Sequence, residues 1–124
     1  MENLTIEKTK YTMEIDFDRN SGILKMSGSS YPENAPDFFN PIIDWINEYI
    51  TNIKKPMAMI IRLNYLNTSS TKCILDIFEI LEKYHKSGGD IKMTWRYEKD
   101  DEDIKETGEE LSEDFTFPID FISI

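Results

Sequence analysis

The chain has few of the residues that build disulfides, zinc sites and nucleophilic triads. It contains one cysteine, Cys73, and one histidine, His85, among 124 residues. A single cysteine excludes an internal disulfide and a cysteine-rich zinc site. Both residues fall in a stretch with helical periodicity, where a buried thiol and a solvated imidazole near the helix end are the simpler interpretations. Cysteine-based or serine-triad catalysis is therefore not indicated.

Basic charge and long apolar runs are also scarce. There are 14 Lys and Arg against 24 Asp and Glu, which gives a formal net charge of −10. Such a field repels nucleic acid and anionic membranes and favours protein partners that carry a basic surface. No apolar run approaches the ~20 residues that span a bilayer, and the first residues show no secretory signal. We expect a cytoplasmic protein that binds neither nucleic acid nor membrane.

The remaining composition is typical of one folded domain over residues 1–124. Hydrophobic residues make up 40% of the chain and aromatic residues 12%, which is enough for one packed core. Two strand–helix–strand steps imply parallel neighbours, and an opening hairpin makes the sheet mixed. We expect an α/β fold with a mixed sheet of about four strands and two main helices. The hydrophobic pattern predicts strand, strand, helix, strand, helix and strand over residues 11–17, 23–27, 38–50, 57–66, 74–84 and 90–98.

Three local features of this pattern carry further expectations. Tyr11 begins the first alternation, so it should share the inward face with Phe17. Pro41 should either kink the first helix or restart it after Asn40, because proline lacks an N–H and crowds the preceding turn. The strand over residues 57–66 begins almost entirely apolar, which is typical of a central strand covered on both faces.

The segment over residues 98–114 is strongly acidic, with ten Asp or Glu and two Lys. The contiguous carboxylates of Asp100–Asp103 lack the alternating spacing of a calcium-binding loop. A solvated charge run is therefore favoured over a metal site, and any helix here should be short and solvated. Residues 115–124 are apolar enough to pack back on the domain.

A stretch rich in hydroxyl groups, Asn67–Thr71, joins the third predicted strand to the second helix. Such side chains cap a helix by accepting hydrogen bonds from its first amides. The same helix start suits a phosphate, because the free amides and the helix dipole both favour negative charge. Chemistry alone favours the cap and leaves a phosphorylation switch as the alternative. A second polar loop, Ser29–Asn34, also precedes a helix, so both loops could lie at the same end of the sheet.

Several short elements follow one another in a recognisable order. They are Ser30–Asn34, Phe38–Pro41, Trp45, Leu63–Ser70, Trp95–Tyr97, Asp100–Glu102 and Gly108–Glu110. Together they resemble the SiaC family of small bacterial regulatory phosphoproteins, over roughly residues 12–124. The resemblance implies a fold similar to STAS-type anti-anti-sigma factors.

The resemblance implies partner switching controlled by phosphorylation. A serine/threonine protein kinase of the anti-sigma-like type would phosphorylate Thr68, with Ser69 as the neighbouring candidate, and a PP2C-type phosphatase would remove the phosphate. The unphosphorylated form would bind an effector such as a diguanylate cyclase, in c-di-GMP and biofilm signalling. Asn67, Ser69 and Ser70 would shape the switch loop. The candidate partner contacts are Tyr31, Pro32, Glu33 and Asn34.

Two other classes of function stay open at this point. One is an adaptor or anti-anti-sigma-type antagonist that is not phosphorylated. The other is a small metal-dependent enzyme that uses the acidic segment, although no pair of carboxylates shows a catalytic context. We expect a protein that is not an enzyme and that needs no cofactor or metal.

Overall fold

The computed structural model describes residues 1–124 and contains one mixed sheet with three α-helices. The sheet order is β1-β2-β3-β4-β5-β6. The first three strands pair antiparallel and the others pair parallel. None of the helices combines the length and apolar character needed to cross a membrane. The strands are β1 (Leu4–Ile6), β2 (Glu14–Phe17), β3 (Ile23–Ser30), β4 (Met57–Leu66), β5 (Ile91–Tyr97) and β6 (Ile119–Ser123), and the helices are α1 (Ala35–Glu48), α2 (Thr68–Lys86) and α3 (Glu102–Ser112).

The helices cover only one face of the sheet. In β4, Met59 and Ile61 are buried, whereas Ile60 between them is half-buried and Arg62 is exposed. The same alternation runs through β2, β3 and β5. The core therefore lies between one sheet face and the helices, and the other face, here called the open face, meets solvent. The expectation that β4 is covered on both faces was wrong, because the apolar Ile60 lies on the open face among charged neighbours.

The sheet has six strands rather than the expected four or so. The two additional strands are β1 and β6, which form the two edges of the sheet. Neither edge strand contains a fully buried residue. The contrast between buried and exposed positions, which reveals a strand in a sequence, is therefore weak in both. The prediction that residues 115–124 pack back on the domain is confirmed, since β6 pairs with β5.

The second strand begins at Glu14 and not at Tyr11. A turn precedes it, in which the Thr9 hydroxyl accepts hydrogen bonds from the amides of Tyr11 (3.2 Å) and Thr12 (3.0 Å). The Tyr11 side chain is 52% exposed. Its expected inward position was wrong, because the turn ends the alternation before it reaches this residue.

Helix α1 is continuous through its internal proline. Asn34 caps its first turn, and the helix runs past Pro41 to Glu48. The restart after Asn40 that the sequence allowed does not occur. A π-helical turn over Tyr49–Ile53 follows directly. The buried face of α1 packs on the sheet and on α2, as the periodicity predicted.

The acidic segment forms three helical turns that pack closely on β5. Ile104 and Leu111 are buried on one face of α3. The Trp95 indole donates a hydrogen bond to the Ile104 carbonyl at 3.1 Å. A Cβ added to Gly108 would lie 2.5 Å from the Trp95 ring, so only glycine lets the helix approach this far. The helix is solvated, as expected, only on its acidic side, because its other side is buried against β5.

One buried acid fixes the segment that leads into β6. The Glu82 carboxylate accepts hydrogen bonds from the Thr116 amide (2.9 Å) and the Phe117 amide (3.1 Å). Burial by itself would raise the pKa of Glu82, but these bonds and the nearby Lys86 ammonium hold the pKa below its usual range. The Glu82 carboxylate on α2 therefore binds the segment between α3 and β6 to the helices.

Candidate functional site

Two loops meet at the carboxyl ends of the parallel strands β3 and β4. The Asn67 amide donates to the Ser30 carbonyl at 2.9 Å. The Asn67 side-chain nitrogen lies 3.4 Å from the Pro32 carbonyl, which accepts its hydrogen bond. The two polar loops therefore share one end of the sheet, as the sequence predicted.

Asn67 is the residue that caps α2. Its side-chain oxygen accepts a hydrogen bond from the Ser70 amide at 2.8 Å. Its carbonyl accepts from both the amide and the hydroxyl of Thr71, each at 3.0 Å. One asparagine thus begins the helix and also holds the neighbouring loop through Pro32. Thr68, the first helical residue, takes no part in the cap.

The four hydroxyl groups after Asn67 have different surroundings. The Ser70 hydroxyl is buried and lies 2.8 Å from the equally buried Ser30 hydroxyl. The Thr71 hydroxyl is bound to the cap carbonyl, and the exposed Ser69 hydroxyl donates to the cap side chain at 3.3 Å. The Thr68 hydroxyl is exposed and makes no hydrogen bond. Among the four, it is the group that an enzyme could modify without first breaking a contact.

The start of α2 is also free of resident negative charge. The Asn67 side chain binds the Ser70 amide. The amides of Thr68 and Ser69, like the first amides of any helix, have no carbonyl partner within the helix. The first turn of α2 carries no acidic residue, in contrast to α1 with Asp37 and α3 with Glu102. The dipole and the two free amides thus leave a place where an added anion is stabilised.

In the adjoining loop that precedes α1, some residues support the fold and others face solvent. Asn34 caps α1, since its side-chain oxygen accepts from the Asp37 amide at 3.3 Å and its nitrogen donates to the Asp37 carboxylate at 2.9 Å. Tyr31 and Pro32 are half-buried, and Glu33 is exposed. Asn34 is exposed like Glu33, and its side-chain amide also serves the cap of α1. All four residues of this loop therefore reach the surface.

The other chemically interesting groups lie apart from this site. Cys73 is buried, and its burial raises the pKa of the thiol, which disfavours the reactive thiolate. His85 is half-buried near the end of α2. The structure gathers no group of three or more His, Cys, Asp and Glu side chains that could hold a metal ion. In the acidic run, Asp101 caps α3 by accepting from the Ile104 amide at 3.1 Å.

A surface cavity of about 600 Å³ lies at the opposite end of the sheet. It is formed where α2 ends and β4 and β5 begin, far along the strands from Thr68. Its walls carry no pair of acidic or nucleophilic groups suited to catalysis. The lining residues are Ile50, Thr51, Lys54, Tyr84, Ser87, Gly88 and Gly89.

Comparison with known proteins gives one consistent match. A family model described as SiaC family regulatory phosphoprotein matches residues 6–124. An uncharacterised protein of Pseudomonas aeruginosa (strain UCBPP-PA14) is 39% identical over 118 residues, which is 95% of this chain and 94% of that protein.

Solved structures agree with the sequence matches. Apo-SiaC from Pseudomonas aeruginosa has a TM-score of 0.93 and 37% identity, and the match covers 99% of this chain and 100% of that one. A chain in the crystal structure of the diguanylate cyclase SiaD in complex with its activator SiaC has a TM-score of 0.94 and 37% identity, covering 98% and 99% of the two chains. The fold is therefore matched along nearly the whole length.

Proposed function

The chain belongs to the SiaC family of regulatory phosphoproteins, and from this premise we propose that it binds and activates a diguanylate cyclase. We further propose that a serine/threonine protein kinase phosphorylates Thr68 to end this binding, and that a PP2C-type phosphatase restores it. The protein itself performs no catalysis in this scheme. It acts in the cytoplasm, where ATP and c-di-GMP chemistry takes place.

We assign the phosphate to Thr68 because the neighbouring hydroxyl groups differ in burial and in hydrogen bonding. Ser70 is buried against Ser30, Thr71 is bound to the cap, and Ser69 donates to Asn67. Only Thr68 is both exposed and without a hydrogen bond. A kinase can therefore reach this hydroxyl and transfer a phosphoryl group to it without disturbing the start of α2.

The fold should tolerate the phosphate. Phosphorylation adds roughly −1.5 to −2 charges and three strong acceptor oxygens. The first turn of α2 holds no carboxylate that would repel this charge, and its free amides and dipole favour it. The modified helix should remain folded, so the change falls on the surface that a partner meets.

The phosphate should weaken binding to the cyclase because of its size and because the contact would remove water from its charge. A partner of a chain with net charge −10 is expected to be basic, so long-range repulsion is not the cause. A surface packed against the small Thr68 hydroxyl has no room for a phosphate. Keeping such contact would leave the charge poorly solvated, which costs several kcal/mol, about 3–5 when a buried charge lacks its partner.

The cyclase partner is supported by likeness to a protein that makes this contact. The chain seen with SiaD is described as the activator of that cyclase. This chain matches it in fold over 98% of its residues. We therefore infer the same kind of effector, bound through the surface around Thr68 and Tyr31.

Phosphorylation with the cognate kinase, Mg²⁺ and ATP tests the switch. We expect one phosphate, located on Thr68 by fragmentation of the phosphopeptide in a mass spectrometer. Thr68→Ala should abolish labelling, and Ser69→Ala, the matched control one residue away, should retain it. Phosphate found only outside residues 67–71, or undiminished labelling of Thr68→Ala, would contradict the assignment.

A further inference from the structure

Three tyrosine rings form a contact series beside the loop that carries Thr68. The rings of Tyr11 and Tyr31 meet edge to face with centroids 5.2 Å apart, and those of Tyr31 and Tyr65 do so at 5.7 Å. The two outer rings are about half exposed, Tyr11 at 52% and Tyr65 at 54%. We call Tyr11, Tyr31 and Tyr65 the tyrosine cluster. Tyr65 precedes Asn67 by two residues, and the loop of Tyr31 is bonded to Asn67.

A β-bulge is responsible for the exposure of Tyr65. Leu63 is buried on the helix face, and strict alternation would bury Tyr65 on the same face. The pairing with β3 shifts at this point, since Gly28 pairs with Leu63 but Ser29 pairs with Tyr65. The additional residue, Asn64, changes the direction in which Tyr65 points. Bulges of this kind commonly re-aim a side chain next to a functional site.

The backbone also fixes the position of the other exposed ring. The turn closed by the Thr9 hydroxyl holds the amide of Tyr11. The Tyr11 carbonyl in turn accepts a hydrogen bond from the Tyr31 amide at 2.9 Å. Main-chain contacts thus hold the backbone from which both exposed rings project. Rigid aromatic side chains lose little conformational entropy on binding, which makes them effective anchors.

We propose that the tyrosine cluster is the aromatic anchor of the cyclase-binding surface, and that it receives arginine or lysine side chains of the cyclase. This inference rests on the proposed function and deepens it. Ring faces attract cations, and the Lys10 ammonium already lies 5.7 Å from the centroid of the Tyr11 ring. The exposed Glu33 stands on the adjoining loop, and the chain as a whole carries a net charge of −10. Ring faces and surrounding charge therefore suit a partner surface that presents cations.

Calorimetric titration of SiaD from Pseudomonas aeruginosa with the full chain tests the proposal. Tyr65→Ala and Tyr11→Ala should each weaken binding about tenfold or more, the usual effect of truncating an interface anchor. Tyr65→Phe should bind within about threefold of wild type, because a ring–cation contact does not need the hydroxyl. The control is Ile23→Ala, which removes an exposed apolar side chain (38% exposed) at the other end of β3 and should leave the Kd unchanged.

Two further comparisons separate the possible failures. Tyr65→Leu keeps apolar bulk without a ring face, so it should bind as weakly as Tyr65→Ala, and wild-type affinity for it would contradict a cationic partner. Wild-type affinity for both alanine variants, with thermal melts unchanged, would overturn the cluster as an anchor while the proposed function stands. Absence of any binding by the wild-type chain would instead overturn the proposed function, and this inference with it.

Discussion

Replacement of Asn67 and of Thr68 by alanine should separate the helix cap from the hydroxyl that we propose as the phosphorylation site. Asn67 accepts from the Ser70 amide at 2.8 Å and bonds the Pro32 carbonyl at 3.4 Å. Loss of a cap costs about 0.5–2 kcal/mol, typically ~1, and the longer second bond should add a few tenths. We expect Asn67→Ala to lower the free energy of unfolding by about 1–2 kcal/mol. For a chain of this length, that corresponds to a fall in Tm of about 3–8 °C.

Thr68→Ala should behave differently although it lies one residue away. The Thr68 hydroxyl makes no hydrogen bond, and alanine is the better helix former, so stability should stay within about 0.5 kcal/mol of wild type. Asn67→Asp keeps the capping acceptor, loses the donor to Pro32 and adds a charge that the dipole of α2 favours, so it should lose less stability than Asn67→Ala. Urea unfolding followed by circular dichroism, with m-values compared, measures each change. An equal loss for Thr68→Ala and Asn67→Ala would refute the separation of the two roles.

Three other predictions concern the rest of the fold. Gly108→Ala should destabilise the protein by about 1–3 kcal/mol, because its Cβ would press on the Trp95 ring, and a smaller loss in thermal or urea unfolding would mean that α3 can move away. The pKa of Glu82 is lowered in the folded state, so its stabilisation is present above the unfolded pKa of about 4.3 and is lost as pH falls through the folded value. Glu82→Gln should therefore be less stable than wild type at neutral pH, and the difference should shrink below about pH 4; a constant difference from pH 7 to pH 3 would contradict the contacts with Thr116. Calorimetry at physiological salt should show no saturable Mg²⁺ or Ca²⁺ binding to Asp100–Asp103 tighter than about 10⁻⁴ M. Tight binding that is lost when these residues are replaced would support a metal-dependent activity instead.

The central part of the fold could be predicted because its residues alternate or repeat clearly. The apolar run of β4 and the helical periodicity of α2 indicated the strand, the helix and their order. The edge strands β1 and β6 could not be recognised, since they contain no fully buried residue. The open face was missed because an apolar residue such as Ile60 has the same sequence signal whether a helix or solvent covers it.

The meeting of the two polar loops at one end of the sheet was predictable, but the different roles of their side chains were not. The hydroxyl stretch pointed to the start of α2, yet the sequence could not show that Asn67 forms the cap and Thr68 remains free. That distinction depends on which oxygen faces the Ser70 amide. The exposure of Tyr65 was hidden for a similar reason, because it follows from a shift in strand pairing with Gly28 and Ser29. Pairing between distant strands leaves no local pattern in the sequence.

The most direct measurement compares the affinity of the unmodified chain and of its Thr68-phosphorylated form for SiaD, by calorimetry. Mass spectrometry confirms complete modification, and circular dichroism confirms that both forms are folded. We expect the unmodified chain to bind and the phosphorylated form to bind at least about tenfold more weakly, because the contact cannot solvate the added charge. Raised salt should not restore the affinity, since the effect is local rather than long-range. Equal affinity of the two folded forms would contradict the claim that Thr68 is the switch.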